Sequence, residues 1–381
     1  MGLIKNCEIV GGGFVNKGAE LMLLCCLDAF SNEPGFRLSM NWKQGNYQQR
    51  ARTGLLQKVD FPSLGNFSSL PLKFLPKKVG ERLGVVSEYE TDFVLDISGF
   101  AYSDQWGTGG CEVISKRAAR RHKQGERYIL LPQAYGPFEK PEVRKLAKQY
   151  FDAAEVLFVR DKRSLGYMKD LMGEDDRLRL CPDFTCLIEP LSDFDAPIGD
   201  YICIVPNCRM IDKRHGGLED TYLNFLSQVV RESRERNLKV ILVNHEGEGD
   251  RLIIEDLQKA EGDCVEVRNL KDPRALKSLF RGSRFVVSSR YHAAISAMTQ
   301  HVPVIGLGWS HKYRELFTDF ELEEFLLEPQ DAIDQLPLRI ESILSAGPES
   351  DLSKSLVKGA ALYKESAKSM WSDIFKLLKS N

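Results

Sequence analysis

The sequence lacks the features that would place it in a membrane or on a nucleic acid. No run approaches the roughly 20 apolar residues that a membrane-spanning helix needs. Residues 1–10 carry Lys5 and Glu8, so this stretch lacks the continuous apolar region of a signal peptide. The 52 Lys and Arg against 54 Asp and Glu give 52 − 54 = −2, which is no basic excess for nucleic acid. We therefore expect a cytoplasmic, globular protein without a nucleic-acid partner.

The sequence also lacks a cysteine pattern for metal binding or disulfides. The nine cysteines are odd in number, and no two have the two-residue spacing of a zinc knuckle. Several lie in apolar runs, as buried free thiols do. We expect neither a metal nor a cofactor.

What the chain does have is a regular alternation of strands and helices in two successive sets. With 381 residues, 43% hydrophobic and 28% charged, it is long enough for two or three domains. Short apolar runs predict strands at 7–10, 36–40, 93–97, 129–131 and 157–159, and again at 202–205, 239–243, 265–267, 285–288 and 302–307. Helices are predicted at 18–30, 141–153, 222–235, 293–299 and 352–378. This alternation predicts an α/β fold with parallel sheets covered on both faces.

An acidic stretch with prolines, residues 189–200, separates the two sets and marks the expected hinge. We expect an N-terminal domain over residues 1–188, a C-terminal domain over 189–345, and a final helical segment over 346–381 that packs across both. Residues 42–87 are weakly patterned and rich in Gly, Pro, Ser and Lys, so we expect a long irregular loop there, of the kind that often binds ligands.

The most informative stretch is residues 285–312, which predicts a strand, a short helix and a second strand. Such a right-handed unit brings both strand ends to the same carboxyl edge of a parallel sheet. Arg290 and His292 follow the first strand, and Lys312 follows the second. A fixed cation, a titratable imidazole and an amine at one edge suit an anionic, phosphorylated small molecule.

Other strands of the second set end in similar residues. Asn207 and Arg209 follow the strand at 202–205, and His245 follows the strand at 239–243. Four strand ends with several potential cations predict a convergent anion site. Taken singly, Arg209 fits a solvated loop equally well, and His245 fits a hydrogen-bonded turn.

Six motifs in chain order resemble the polysaccharide pyruvyl transferase family. They are residues 13–20 (GFVNKGAE), 132–137 (PQAYGP), 160–164 (RDKRS), 181–183 (CPD), 289–293 (SRYHA) and 302–312 (VPVIGLGWSHK). The likeness runs over about residues 7 to 320. It implies two Rossmann-like domains that face a cleft, as in GT-B glycosyltransferases. From the apolar spacing of the last helix we expect that helix to return to the first domain. It also implies phosphoenolpyruvate as donor and a sugar hydroxyl pair as acceptor.

The resemblance assigns roles to individual residues. It places His292 at a position that holds the donor and Lys312 at an active-site lysine. Because ketal formation requires a proton at the methylene carbon, we expect His292 to be the general acid and Lys312 to be the second catalytic residue. The resemblance and the polar strand ends of the second set together give the expected donor-binding residues, which are Arg290, Tyr291, Arg160, Arg209, Asn207 and His245. The candidates on the acceptor side or in its loops are Asn16, Glu20, Gln133 and Trp106. The family usually has Gly-Asp after the early Asn, whereas Gly18 is followed here by Ala19 and Glu20.

Two other functions fit the same features. A GT-B-like glycosyltransferase would use a nucleotide sugar, and a non-catalytic protein would only bind a sugar phosphate. The expected acceptor is a saccharide of a cell-surface polysaccharide or its lipid-linked precursor. A peripheral contact of the basic residues at 117–123 with the cytoplasmic membrane face is one interpretation of that patch, and a solvated helix face is favoured.

Overall fold

The computed structural model describes residues 4–59, 77–109, 111–211, 219–308, 310–329 and 331–380. The chain divides into two compact units. The first comprises Met1–Val15 and Met22–Asp183, and the second comprises Asn16–Leu21 and Phe184–Asn381. The short segment Asn16–Leu21 thus packs with the second unit although it lies early in the sequence. The domain limits expected at 188, 189 and 345 stay predictions.

The first unit contains an eight-stranded sheet whose described pairings are all parallel, in the order β4-β3-β2-β1-β5-β6-β7-β8. Its strands are β1 (Lys5–Val10), β2 (Phe36–Asn41), β3 (Leu56–Val59), β4 (Val85–Ser87), β5 (Phe93–Asp96), β6 (Arg127–Gln133), β7 (Ala154–Val159) and β8 (Leu178–Leu180). The described helices are α1 (Lys17–Phe30, which begins in the segment Asn16–Leu21), α2 (Tyr47–Arg52), α3 (Lys77–Leu83), α4 (Glu112–Arg121), α5 (Pro141–Asp152) and α6 (Lys162–Met172).

The second unit contains a six-stranded parallel sheet in the order β11-β10-β9-β12-β13-β14. Its strands are β9 (Tyr201–Val205), β10 (Lys239–Val243), β11 (Val265–Arg268), β12 (Val286–Ser288), β13 (Val304–Leu307) and β14 (Leu326–Leu327). The described helices are α7 (Glu219–Glu235), α8 (Gly247–Glu261), α9 (Pro273–Arg281), α10 (Tyr291–Met298), α11 (His311–Asp319), α12 (Ala332–Leu344) and α13 (Asp351–Lys379).

The two parallel sheets confirm the predicted α/β class. Every predicted strand and helix is present, with ends shifted by a few residues at most. The expected irregular loop at 42–87 is wrong in its described parts, because α2, β3, α3 and β4 lie there. These elements have only three to seven residues each, too few for an apolar period to show in the sequence. Residues 60–76 of that loop lie outside the described residues.

The central strands of both sheets are buried. All six residues of β6 after Arg127 are buried, as are all five of β9. Local signals fix the helix starts: Asp161 accepts a hydrogen bond from the Ser164 backbone before α6, and Asp272 caps α9 with Pro273 in the first turn. These starts set where the strand-to-helix turns lie at the carboxyl edge of each sheet.

The C-terminal helix α13 is a 29-residue amphipathic helix. Trp371 packs edge-on against Phe184 at 6.1 Å, and Tyr363 donates a hydrogen bond to Asp319 at 2.8 Å. These contacts lie within the second unit, and the expected return of the helix to the first unit stays a prediction. Among the described residues, no helix combines the length and apolarity needed to cross a bilayer.

Candidate active site

The predicted strand, helix and strand at 285–312 are present as β12, α10 and β13, with the two strands paired in parallel. His292 and Lys312 therefore lie near two adjacent strand ends. Tyr291 joins them: its ring centre lies 5.4 Å from that of His292 and 5.7 Å from Nζ of Lys312. The Lys312 amine also lies 5.6 Å from the ring centre of Tyr313. The Lys312 amine thus lies over two aromatic rings, and one of these rings, Tyr291, also contacts the His292 imidazole.

Arg290 is buried, and its guanidinium contacts two carboxylates. Nη1 donates to Glu246 and Nη2 donates to Asp250. Nε also donates to the Pro206 carbonyl at 3.4 Å. Burial alone would lower the pKa of Arg290, but Asp250 and Glu246 outweigh it and raise the pKa above its ordinary value. The arginine expected to hold the donor is therefore charged and already paired.

The two carboxylates that hold Arg290 differ in exposure. The side chain of Asp250 is fully buried, and it also accepts hydrogen bonds from the backbone N–H groups of Cys208 (3.1 Å) and Glu246 (3.0 Å). Burial raises the pKa of Asp250, although Arg290 opposes the shift. The side chain of Glu246 is 32% exposed. Asp250 is thus a fixed part of the site, and Glu246 is its more accessible partner.

Asn207 connects the ends of two neighbouring strands, β9 and β12. Its side-chain N–H donates to the Ser289 carbonyl at 2.7 Å, and its Oδ1 accepts from the Arg209 backbone N–H at 3.0 Å. Tyr222 accepts from the Asn207 backbone N–H at 3.1 Å. Both ends of the Asn207 amide are therefore used to shape the loop, and the Arg209 side chain is half-buried beside it.

His245 is buried at the end of β10, and its pKa lies well below the ordinary value of 6.5. Burial is the main cause, and the positive charges of Arg290, His292 and Lys17 lower it further. Among the described residues, Nδ1 of His245 makes no hydrogen bond. His245 is therefore a neutral imidazole at physiological pH, within the field of three basic groups.

The segment Asn16–Leu21 packs onto this site within the second unit. Oδ1 of Asn16 caps α1 by accepting a hydrogen bond from the Gly18 backbone N–H at 2.8 Å. The backbone of Asn16 also pairs with that of Glu246 in an isolated antiparallel β-bridge. Lys17 donates its backbone N–H to the His245 carbonyl at 3.2 Å. Its Nζ lies 2.6 Å from Glu20. The segment Asn16–Leu21 thus lies next to the end of β10 in the folded chain.

Gly18 lies directly against His292. A β-carbon added at Gly18 would overlap Nδ1 of the His292 ring. Burial raises the pKa of the nearby Glu20, while Lys17 opposes that shift. The first turn of α1 therefore has a glycine where the imidazole needs the space.

Three predicted residues lie in the first unit instead. Nη1 of Arg160 pairs with Asp183 at 3.3 Å, and the Arg160 backbone N–H donates to the Gln133 carbonyl at 3.1 Å. Both side chains are buried at the ends of β7 and β6. Trp106 is half-buried and contacts Phe100 edge-on at 6.2 Å. Within the first unit, Gln133 and Arg160 form a pair and Trp106 packs locally.

The favoured solvated face for residues 117–123 is wrong for two of its arginines. Arg117 pairs with Glu8 at 2.6 Å and with Glu126, and its side chain is only 11% exposed. Arg121 is buried and lies 3.9 Å from Glu126. These carboxylates turn the two arginines inwards, a tertiary effect that the spacing of basic residues does not reveal.

The two acidic partners of Arg290, Glu246 and Asp250, were not predicted from the sequence. A usable signal for Asp250 was its position as an acidic residue in the first turn of α8, on the buried face of that helix. Across the described ranges, no group of three His, Cys, Asp or Glu side chains is arranged to hold a metal ion.

Comparison with solved structures shows that the fold is shared with a UDP-bound protein, a glycosyltransferase and a UDP-GlcNAc 2-epimerase. The S. aureus MnaA-UDP structure matches with a TM-score of 0.62 and 12% identity over 99% of this chain and 97% of that one. A Rickettsia africae glycosyltransferase matches with a TM-score of 0.61 and 12% identity over 100% of both chains. The UDP-GlcNAc 2-epimerase of Neisseria meningitidis gives 0.59 and 12%, over 98% and 100%. At this identity the likeness establishes a GT-B-like fold alone.

Sequence comparison gives a narrower result. No curated protein matches the chain. A family model described as polysaccharide pyruvyl transferase matches residues 16–311, which is most of the chain. The matched range begins at Asn16, which caps α1, and includes Arg290 and His292. The chain therefore belongs to the polysaccharide pyruvyl transferase family.

Proposed function

We propose that the protein transfers a pyruvyl group from phosphoenolpyruvate to two hydroxyl groups of a sugar, forming a cyclic ketal and releasing phosphate. The observation that carries the proposal is the cluster of His292, Tyr291 and Lys312 next to buried Arg290 at the carboxyl edge of the second sheet. Cations fixed at such an edge suit a small ligand with both a carboxylate and a phosphate.

The reaction requires one proton at carbon and two new carbon–oxygen bonds. Protonated His292 gives a proton to the methylene carbon, which becomes a methyl group and leaves positive charge on the adjacent carbon. One sugar hydroxyl attacks that carbon, the bond to phosphate breaks, and the second hydroxyl closes the ketal. Of the two hydroxyl protons, one restores His292 and the other leaves on hydrogen phosphate.

Lys312 is assigned to the departing phosphate. Its amine lies over the Tyr291 and Tyr313 rings, and the residue is half-buried. A positive charge fixed in a partly desolvated position stabilises charge that builds up in the transition state without reorganisation. Arg209 and Tyr291 are proposed as further donor contacts, and Asn207 as the residue that holds the Arg209 loop.

Arg290 is proposed to bind the donor in exchange for one of its present partners. Asp250 is buried and held by two backbone N–H groups, whereas Glu246 is 32% exposed. A donor carboxylate or phosphate would therefore displace the Glu246 carboxylate and leave the pair with Asp250 intact. The pairing of Arg290 with Glu246 gives the guanidinium an anionic partner until the donor arrives.

The remaining assignments concern the acceptor. Asn16, Glu20, Gln133 and Trp106 are proposed to lie on the acceptor side or in its loops, and Arg160 to contact an anion. The acceptor is proposed to be a saccharide of a cell-surface polysaccharide or its lipid-linked precursor, used in the cytoplasm. Peripheral contact with the membrane, through the exposed Arg120, His122 and Lys123, belongs to the same proposal.

The test is a thermal-shift titration of the full chain with phosphoenolpyruvate, beside UDP-glucose, UDP-N-acetylglucosamine and inorganic phosphate. A ligand that binds only the folded protein raises the melting temperature by mass action. We expect phosphoenolpyruvate to raise it, and Arg290→Lys, which keeps the charge but loses the paired N–H groups, to weaken the shift.

The outcomes separate the three candidate functions. A shift with a nucleotide sugar and none with phosphoenolpyruvate would replace the proposal with a glycosyltransferase. A shift with phosphoenolpyruvate but no phosphate release with any saccharide of a broad acceptor panel would indicate a binding protein. Phosphate release with pyruvyl addition to the saccharide, seen by mass spectrometry, would establish the transfer.

A further inference from the structure

The first unit contains a pocket of about 380 Å³ that is separate from the cluster around His292. Four elements provide its polar lining: Glu8 from β1, Asn41 from β2, Lys58 from β3, and Arg117 from α4. Ser98, which follows β5, lines it too. Its volume lies at the small end of the usual range for ligand pockets, about 300 to 1,000 Å³.

The pocket lies at the point where the strand order of the first sheet reverses. From β1 the chain builds outwards through β2, β3 and β4, and β5 then returns to pair with the other side of β1. Gly11 after β1 lies so close to Ser98 after β5 that a β-carbon at Gly11 would overlap the Ser98 hydroxyl. Ligands of open parallel sheets bind at such a reversal.

Two cations of the lining are already paired with carboxylates, and a third lining cation, Lys43, is exposed. Glu8 is buried and pairs with Lys58 at 3.1 Å and with Arg117 at 2.6 Å. Arg117 pairs in turn with Glu126, so two cations meet two carboxylates. Burial alone would lower the pKa of Arg117, but Glu8 and Glu126 raise it well above its ordinary value. A neutral ligand that both donates and accepts hydrogen bonds fits this wall better than a phosphate does.

The lining also offers an unused acceptor beside an apolar face. Oε1 of Gln44 is buried and has no hydrogen-bond partner among the described residues. Val113 and Ile114 of α4 supply apolar surface in the same pocket, and Val113 is 76% exposed. Hydroxyl donors on one side and carbon-bound hydrogens on the other are what a sugar ring presents.

We propose that this pocket binds a neutral sugar of the acceptor, with Gln44, Asn41 and Glu8 as hydroxyl contacts and Val113 against the ring. That this sugar is the acceptor rests on the proposed pyruvyl transfer. Binding of the sugar to the pocket can be measured without any reaction. It adds residues of β1, β2 and α4 to those proposed for the acceptor from the family motifs.

The experiment is saturation-transfer NMR of the full chain with methyl glycosides of common hexoses and N-acetylhexosamines. We expect at least one glycoside to bind. Val113→Trp should abolish binding, because the large ring fills the pocket from an exposed position. Gln44→Ala should weaken it about two- to tenfold, as one lost hydrogen bond does. Leu180→Trp, at a 49% exposed position of β8 outside the lining, is the matched control.

The results test the proposed sugar pocket and the proposed donor separately. Binding of no glycoside, or equal binding by the wild type and Val113→Trp, overturns the pocket. Loss of inorganic phosphate binding in Val113→Trp, with no glycoside bound, overturns the neutral-sugar assignment. If glycosides bind and Val113→Trp abolishes this while phosphoenolpyruvate gives no thermal shift, the pocket stands and the proposed donor fails.

Discussion

Gly18 and His292 are in direct contact, because the first turn of α1 leaves space for the imidazole only where a β-carbon is missing. The contact joins the motif at 13–20 with the motif at 289–293, although the two motifs lie far apart in the sequence. The Lys17 backbone bond to His245 and the bridge from Asn16 to Glu246 fix the same segment. His292 is thus positioned by a part of the chain distant in sequence.

Replacing Gly18 by Ala should lower activity by about 10²-fold, the usual cost of a catalytic group displaced by about an ångström. Gly13→Ala is the matched control, since no atom lies within 4 Å of a β-carbon at that position. Steady-state kinetics and thermal unfolding of both variants provide the measurement. Equal activity of the two variants would show that the Gly18 contact does not position His292.

His292→Ala should reduce kcat by about 10² to 10⁴, because general acid catalysis is typically worth that much. The donor-induced thermal shift should remain, since Arg290 and Lys312 are unchanged. His122→Ala removes an exposed imidazole in the first unit and should leave both readouts as in the wild type. Activity of His292→Ala within tenfold of the wild type would remove His292 from the proton transfer.

Glu246→Gln should tighten binding of phosphoenolpyruvate by about fivefold, because the donor no longer has to displace the ion pair between Glu246 and Arg290. A partly exposed ion pair of this kind contributes roughly 1 kcal/mol, which corresponds to about that factor. Asp250→Asn should instead destabilise the fold by about 3 to 5 kcal/mol, because it leaves buried Arg290 short of its fixed carboxylate. Calorimetric titration with the donor and urea unfolding distinguish the two effects. Weaker donor binding by Glu246→Gln would show that Glu246 assists the donor rather than competing with it.

His245 should make the protein less stable in mild acid. Its folded pKa lies well below 6.5, so the unfolded chain takes up a proton near pH 6.5 that the folded chain does not. The free energy of unfolding should therefore fall as pH drops below 6.5, by at most about 1.4 kcal/mol per pH unit for this group. His301, with a pKa lowered mainly by burial, acts in the same direction. Raised carboxyl pKa values at Asp250 and Glu20 act in the opposite direction nearer pH 4 to 5.

The measurement is urea unfolding between about pH 7 and pH 5.5, the range in which histidine titrates. His245→Asn should flatten the slope and leave the smaller contribution of His301. A variant with the slope of the wild type would show that His245 does not stay neutral in the folded protein.

Gly359→Ala should destabilise the second unit by about 1 to 3 kcal/mol, the usual cost of overpacking. A β-carbon at Gly359 of α13 would lie 2.5 Å from the Phe320 ring. Gly166→Ala, inside α6 with no atom within 4 Å, should instead stabilise by about 0.5 to 1 kcal/mol through helix propensity. If both variants had equal stability, α13 would not be packed tightly against Phe320.

The apolar pattern and residue order of the chain were enough to predict the class of fold and the sheet edge at which Arg290, His292 and Lys312 lie. Buried parallel strands are continuous apolar runs, and a strand, helix and strand unit has a fixed hand, so Arg290, His292 and Lys312 had to end at one edge. The short elements between Asn41 and Glu88 were missed, because three to seven residues carry no clear period.

The contacts between side chains depend on the folded arrangement of distant elements. Gly18 against His292, Glu246 and Asp250 around Arg290, and Glu8 between Lys58 and Arg117 all join residues far apart in the chain. Ion pairs and close contacts of this kind depend on the packing of distant elements, and local propensity and periodicity have no information about such neighbours. The sequence therefore predicted the residue types of the site, and the fold decided their partners.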